Sequence, residues 1–72
     1  MKKSYSLIDL DCANCAAKME KNIKKIDGVN DATVSFLAQK LILDADDARF
    51  DEILAAAVAA IHRVDADCQV KL

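Results

Sequence analysis

The sequence predicts an α+β fold, a four-stranded antiparallel sheet with two helices on one face. Three observations lead there. Apolar residues alternate with period two in four short stretches and recur with helical period in two longer ones. These stretches come in the order strand, helix, strand, strand, helix, strand. The chain has 72 residues, 54% of them hydrophobic, which is enough for one core in one small domain, 1–72.

Residues 3–10 alternate, with Ser6, Ile8 and Leu10 on one face and Tyr5, Leu7 and Asp9 on the other. Ile8 and Leu10 are expected on the core side. A loop containing Asp11, Cys12, Ala13, Asn14 and Cys15 follows. A helix is predicted over about 15–26, because Ala16, Met19, Ile23 and Ile26 recur at helical spacing while Lys18, Lys21, Lys24 and Lys25 take the other side. Lys24 and Lys25 suit the negative end of the helix dipole, and Gly28 suits a left-handed cap after it. Residues 29–37 read as a strand with Ala32, Val34 and Phe36 on one face, 38–40 as a short turn, and 41–45 as the returning strand of a hairpin. Asp46 and Asp47 offer an N-cap to a second helix over 47–62, with Phe50, Ile53, Leu54, Ala57 and Ile61 inward. Asp51 and Glu52 suit its positive end, and its alanines allow close approach to a sheet. Cys68, Val70 and Leu72 alternate in a last strand over 67–72. This βαββαβ order is the ferredoxin-like arrangement.

Composition narrows the function. The net charge is −2, and no basic patch interleaved with aromatic residues is present, which argues against nucleic acid as a partner. The charge is uneven: residues 1–25 carry six lysines against three acids, and residues 26–72 four bases against nine acids. No apolar run approaches the ~20 residues of a membrane-spanning helix. Lys2 and Lys3 precede an alternating strand rather than an apolar block, so no signal peptide is expected and the localisation read from the sequence is cytoplasmic. Three cysteines are an odd count for a disulfide framework, and in a reducing compartment a Cys-x-x-Cys pair reads as metal-binding or redox-active.

Cys12 and Cys15 are the candidate metal ligands. Thiolates are soft donors that select Cu(I), Zn(II) and related heavy metals. A position near a helix N-terminus favours the thiolate through free N–H groups and the dipole. Asp11, directly before the first thiol, is the third candidate. With two thiolates a divalent ion is neutral, so one more carboxylate leaves the site at −1; with Cu(I) it reaches −2. Asp11 therefore biases the site toward a divalent ion. Its plainer role is to cap the first helix, a task that Asn14 could also fill. A closed structural zinc site would want four ligands, and no second pair stands at suitable spacing.

The run from Leu10 to Cys15, followed by a helix and then Gly28-Val29, resembles a heavy-metal-associated domain over essentially the whole chain. The usual motif of that family is Gly-Met-x-Cys-x-x-Cys; here Asp9 replaces the Gly and Leu10 the Met. Asp11 stands where copper-binding members usually carry Thr, and in this it resembles the zinc, cadmium and lead exporters, in which the matching Asp is implicated as a ligand. The resemblance implies a non-enzymatic, cytosolic metal-binding module of a metal-exporting P-type ATPase. The module would capture, transfer or sense Zn, Cd or Pb, with the ATPase core or a metal donor protein as partner and a membrane reached only through the parent chain. A free copper(I) chaperone is the alternative, since two thiolates suffice for Cu(I). A small thiol oxidoreductase is another, although the chain lacks the proline and aromatic residues expected near such a motif.

Cys68 and His62 are secondary candidates. The last strand should start beside the end of the first, which brings Cys68 near the thiol loop, although packing is its plainer role. His62 near the end of the second helix suits the dipole there. The lysine stripe of the first helix reads as a solvated face. In the resembled family such faces steer a docking partner, and Asp65 and Asp67 offer the opposite sign.

Overall fold

The computed structural model describes Met1–Leu72. Its elements are β1 (Lys2–Ile8), α1 (Ala13–Lys24), β2 (Val29–Ser35), β3 (Lys40–Ala45), α2 (Phe50–Val64) and β4 (Gln69–Lys71), with a 3-10 turn over Asp47–Arg49 leading into α2. The strands form one sheet in the order β2-β3-β1-β4, and every neighbouring pair is antiparallel. The register places Tyr5 opposite Leu41 and Leu41 opposite Val34, with Lys3, Leu43 and Ala32 forming the adjacent row. Leu7, Ala32, Val34, Leu41, Leu43 and Ala45 face the helices. Ala16, Met19 and Ile23 of α1 meet them, as do Phe50, Ile53, Ala57 and Ile61 of α2. The other face carries Lys2, Ser4, Ser6, Asp31 and Thr33, all exposed. That division is the usual one for an antiparallel sheet with a single covered face.

The edge of β2 is protected from α1. Glu20 accepts the Val34 N–H at 3.0 Å, so the outward amide of this edge strand has a partner within the chain. Asp46 caps the 3-10 turn by accepting the Ala48 N–H at 3.1 Å, and the α-helix proper starts only at Phe50. Gly28 is left-handed, with φ 95, but it lies three residues beyond the Lys25 cap, in the turn that leads into β2. A Cβ there would stand 2.6 Å from Ile53 Cδ1, so any larger residue would have to displace the end of that buried side chain.

One core assignment is overturned. Ile8 faces solvent at 46% exposure, whereas Leu7 and Leu10 are buried at 4% and 3%. The alternation breaks at Asp9, whose backbone is left-handed with φ 65. That reversal shifts the phase by one residue and returns Leu10 to the core, which straight alternation from Leu10 back to Ile8 misses. The last strand is also shorter than expected. Asp65, Ala66 and Asp67 form a turn in which the Asp65 carboxylate accepts the Asp67 N–H at 3.0 Å.

Candidate metal centre

β1 leaves the sheet after Ile8, the last residue paired with β4. Asp is among the few residue types that visit the left-handed region readily. Asp9 uses that freedom where the chain turns toward the thiol loop. Leu10 then drops its side chain into the core and anchors the start of the loop.

Cys12 is itself the N-cap of α1. Its backbone is extended, with φ −133 and ψ 116, and its Sγ accepts the Cys15 N–H at 3.2 Å. Its carbonyl accepts the Ala16 N–H at 3.1 Å. The helix thus begins two residues earlier than its apolar spacing suggests, and Cys15 lies in its first turn. A sulfur occupies the place that Ser, Asp or Asn oxygen usually takes. Neither Asp11 nor Asn14 performs the cap, and the Asp11 side chain is left exposed beside the first thiol.

The two thiols differ in their ease of ionisation. Hydrogen bonding from the Cys15 thiol and from the Cys15 backbone N–H holds Cys12 below the ordinary thiol range, against the opposing charge of Asp11. Cys15 is pushed up, first by donating to Cys12, then by burial and by the negative charges of Cys12 and Asp65. Both side chains are half-exposed. Cys12 forms the thiolate first, and an ion held by both sulfurs takes the place of the proton that Cys15 retains. The site is open, as ligand exchange requires.

Asp11 also lines an open depression of about 480 Å³ together with Asp9, Asp65, Asp67 and Gln69. No three of the His, Cys, Asp and Glu side chains converge on one point, so the thiol pair stands with a carboxylate beside it rather than in a closed cage. Cys68 lies just before β4, fully buried in the core. Burial raises its pKa, and the charges of Asp65, Asp9 and Asp11 add to the effect, so its thiol stays protonated. His62 is exposed in the last turn of α2, away from the thiol pair. Lys25 and Arg63 flank a separate groove between the helices, floored by Ala56, Ala59 and Ala60.

Gln39, in the turn between β2 and β3, is the residue that sequence reasoning passed over. Its side-chain Nε2 donates to Leu10 O at 2.6 Å and to Phe36 O at 2.7 Å, and its Oε1 accepts the Leu10 N–H at 3.2 Å. No periodicity signals such a contact, because it joins residues 29 positions apart in two loops.

The profile of the heavy-metal-associated domain matches residues 4–65. The chain belongs to the heavy-metal-associated domain family. Domains of this family bind heavy-metal ions and are not themselves catalytic; they attach to metal-transporting ATPases or act beside them. The chain is 46% identical over 46 residues to the cadmium, zinc and cobalt-transporting ATPase of Bacillus subtilis (strain 168), a match covering 64% of this chain and 7% of that protein. The chain therefore corresponds to a small part of the curated relatives that it matches. The solution structure of the N-terminal domain of ZntA in the Zn(II)-form superposes with a TM-score of 0.74 at 31% identity, covering 97% of this chain and 88% of that one. The CopZ metallochaperone superposes with a TM-score of 0.76 at 21% identity, covering 97% and 98% of the two chains, and shows the shared fold. This heavy-metal-associated domain contains no helix long and apolar enough to cross a membrane.

Proposed function

We propose that residues 1–72 form one heavy-metal-associated domain, the cytoplasmic metal-binding module of a P-type ATPase that exports Zn(II), Cd(II) or Pb(II). Cys12 and Cys15 hold the ion through thiolate sulfur, and Asp11 adds a carboxylate oxygen. The observation that carries this reading is the division of labour at the start of α1. Cys12 caps the helix, so Asp11 has no capping role and stands exposed beside the thiols. A carboxylate there favours a divalent ion over Cu(I) by charge. The names of the relatives, cadmium, zinc and cobalt-transporting ATPase among them, support the same class of ion. The module takes the ion from solution or from a donor protein and passes it to the ATPase core, or reports its presence to that core. Nucleic acid has no role.

One observation favours a second reading, a copper(I) carrier: no third donor converges with the thiols, and Cu(I) is satisfied by two thiolates. Competition titrations of Zn(II) or Cd(II) and of Cu(I) against wild type and Asp11→Asn separate the two. If Asp11 is a ligand, the substitution lowers divalent affinity and leaves Cu(I) affinity equal or higher. An unchanged ratio of the two affinities removes Asp11 from the site and favours copper.

A further inference from the structure

We propose that Gln39 is a positioning residue for the metal centre, reaching from the β2–β3 turn to set where the thiol loop begins. The inference rests on Cys12 and Cys15 being the ligands. Leu10 is buried, yet it lies beyond the end of β1 and has lost the strand partner that would satisfy its backbone. A buried peptide group without a partner is costly. The Gln39 amide replaces the missing strand. It takes the Leu10 N–H on Oε1 at 3.2 Å and gives a hydrogen from Nε2 to the Leu10 carbonyl at 2.6 Å.

The second Nε2 hydrogen goes to Phe36 O at 2.7 Å and ties the clamp back to its own turn. The Gln39 backbone carbonyl accepts the Leu7 N–H at 2.7 Å, so the turn is also fixed to β1. Two donors and an acceptor on one side chain are what an amide supplies; a carboxylate offers no donor to either carbonyl.

The backbone adds a second argument. Gln39 is left-handed, with φ 54, a conformation that glycine adopts at no steric cost. Glycine would suit the turn and forfeit the clamp. With Leu10 held by its side chain in the core and by its peptide groups on Gln39, and Ala16 buried in α1, residues 11–15 span two fixed points. Asp11, Cys12 and Cys15 all lie on that span. The clamp thus limits the positions the two sulfurs can take before an ion arrives.

The test compares wild type with Gln39→Ala, Gln39→Glu and Gln39→Gly, with the core truncation Ile53→Ala, and with the double variant Cys12→Ala plus Cys15→Ala. Cd(II) affinity is measured by competition, the exchange rate of the Leu10 amide by NMR in the metal-free protein, and the thermal midpoint by circular dichroism. Gln39→Gly is the cleanest of the three, because it removes the amide without leaving a side chain on the left-handed backbone. The expected result is a loss of Cd(II) affinity of about 10–100-fold, the usual effect of losing outer-shell support. It comes with faster Leu10 exchange and a lowered thermal midpoint, because the buried Leu10 peptide groups lose their partners, with the protein still folded at the temperature of the titration. Should Gln39→Ala or Gln39→Glu fail to fold, Gln39→Gly still gives the answer. A folded Gln39→Gly that binds Cd(II) within about two-fold of wild type, far short of an outer-shell effect, overturns the proposal. So does an equal loss of Cd(II) affinity in Ile53→Ala, a core truncation that lowers the thermal midpoint with the clamp intact. If the double cysteine variant binds Cd(II) like wild type, the ligand reading fails and this proposal with it. If that variant loses Cd(II) and Gln39→Gly does not, only the role of Gln39 fails.

Discussion

Between the sheet and the helices lie fifteen buried residues, all apolar, with no buried charge among them. At the end of β1 the chain is shaped otherwise, by a left-handed Asp9, a sulfur cap on α1 and the Gln39 amide clamped to Leu10. The first region is held by area removed from water, a non-directional force that tolerates exchange of one apolar residue for another of similar volume. The second is held by a few directional contacts, each specific to one side chain. The core can therefore give the domain its stability while the loop sets what the domain binds, and damage to one should be separable from damage to the other.

Truncation in the core should separate them most sharply. Ile53→Ala removes a buried side chain that packs against Gly28 and the sheet, and should cost about 2–5 kcal/mol of stability by urea unfolding. Cd(II) affinity of the folded fraction should stay at its wild-type value. A large fall in that affinity would show that core and loop are coupled.

Changing the pH acts on the other region. The raised pKa of Cys15 means that binding an ion must expel its proton, and the lowered pKa of Cys12 means that its proton leaves first. Below the Cys12 pKa two protons are displaced; between the two pKa values, one; above the Cys15 pKa, none. Affinity for Zn(II) or Cd(II) should thus fall with acidification by about one decade per pH unit, steepening toward two at lower pH, as competition titrations across pH would record.

Gly28→Ala tests the core at its tightest approach. A Cβ at φ 95 and 2.6 Å from Ile53 Cδ1 should cost about 1–3 kcal/mol in thermal or urea unfolding, again with unchanged metal affinity. Asp9→Gly is the smallest change. It relieves a left-handed non-glycine residue but frees the unfolded chain, and the two effects should nearly cancel, leaving stability within about 1 kcal/mol. A larger loss would show that the Asp9 side chain itself supports the loop.

The same contrast explains what could be read in the sequence. Met19 and Ile23, Leu41 and Leu43, and Phe50, Ile53, Ala57 and Ile61 announce themselves by spacing, because burial on a helix or strand imposes a period. The element order and the place of the thiols between strand and helix follow from those periods. The loop has no period. Alternation places Ile8 inward, whereas one left-handed residue after it inverts the phase and leaves it outside. The sulfur cap stayed hidden because Cys is not a usual capping residue, and Asp11 and Asn14 looked better suited. Gln39 stayed hidden because its partners are distant in sequence and its chemistry is that of any surface glutamine. The one available signal lay at Asp9, which occupies the position of the family's glycine and so hints at a backbone that glycine favours.

The most direct test of the metal centre is titration of the metal-free, reduced protein with Cd(II), followed by the ultraviolet absorption of cadmium–thiolate bonds. Wild type, Cys68→Ala, and Cys12→Ala plus Cys15→Ala are compared, with circular dichroism confirming the fold of each. One Cd(II) per chain is expected for wild type and for Cys68→Ala, since Cys68 is fully buried in the core. No thiolate absorption is expected from the folded double variant. Unchanged binding by the double variant, or loss of binding in Cys68→Ala with its fold intact, would contradict Cys12 and Cys15 as the ligand pair.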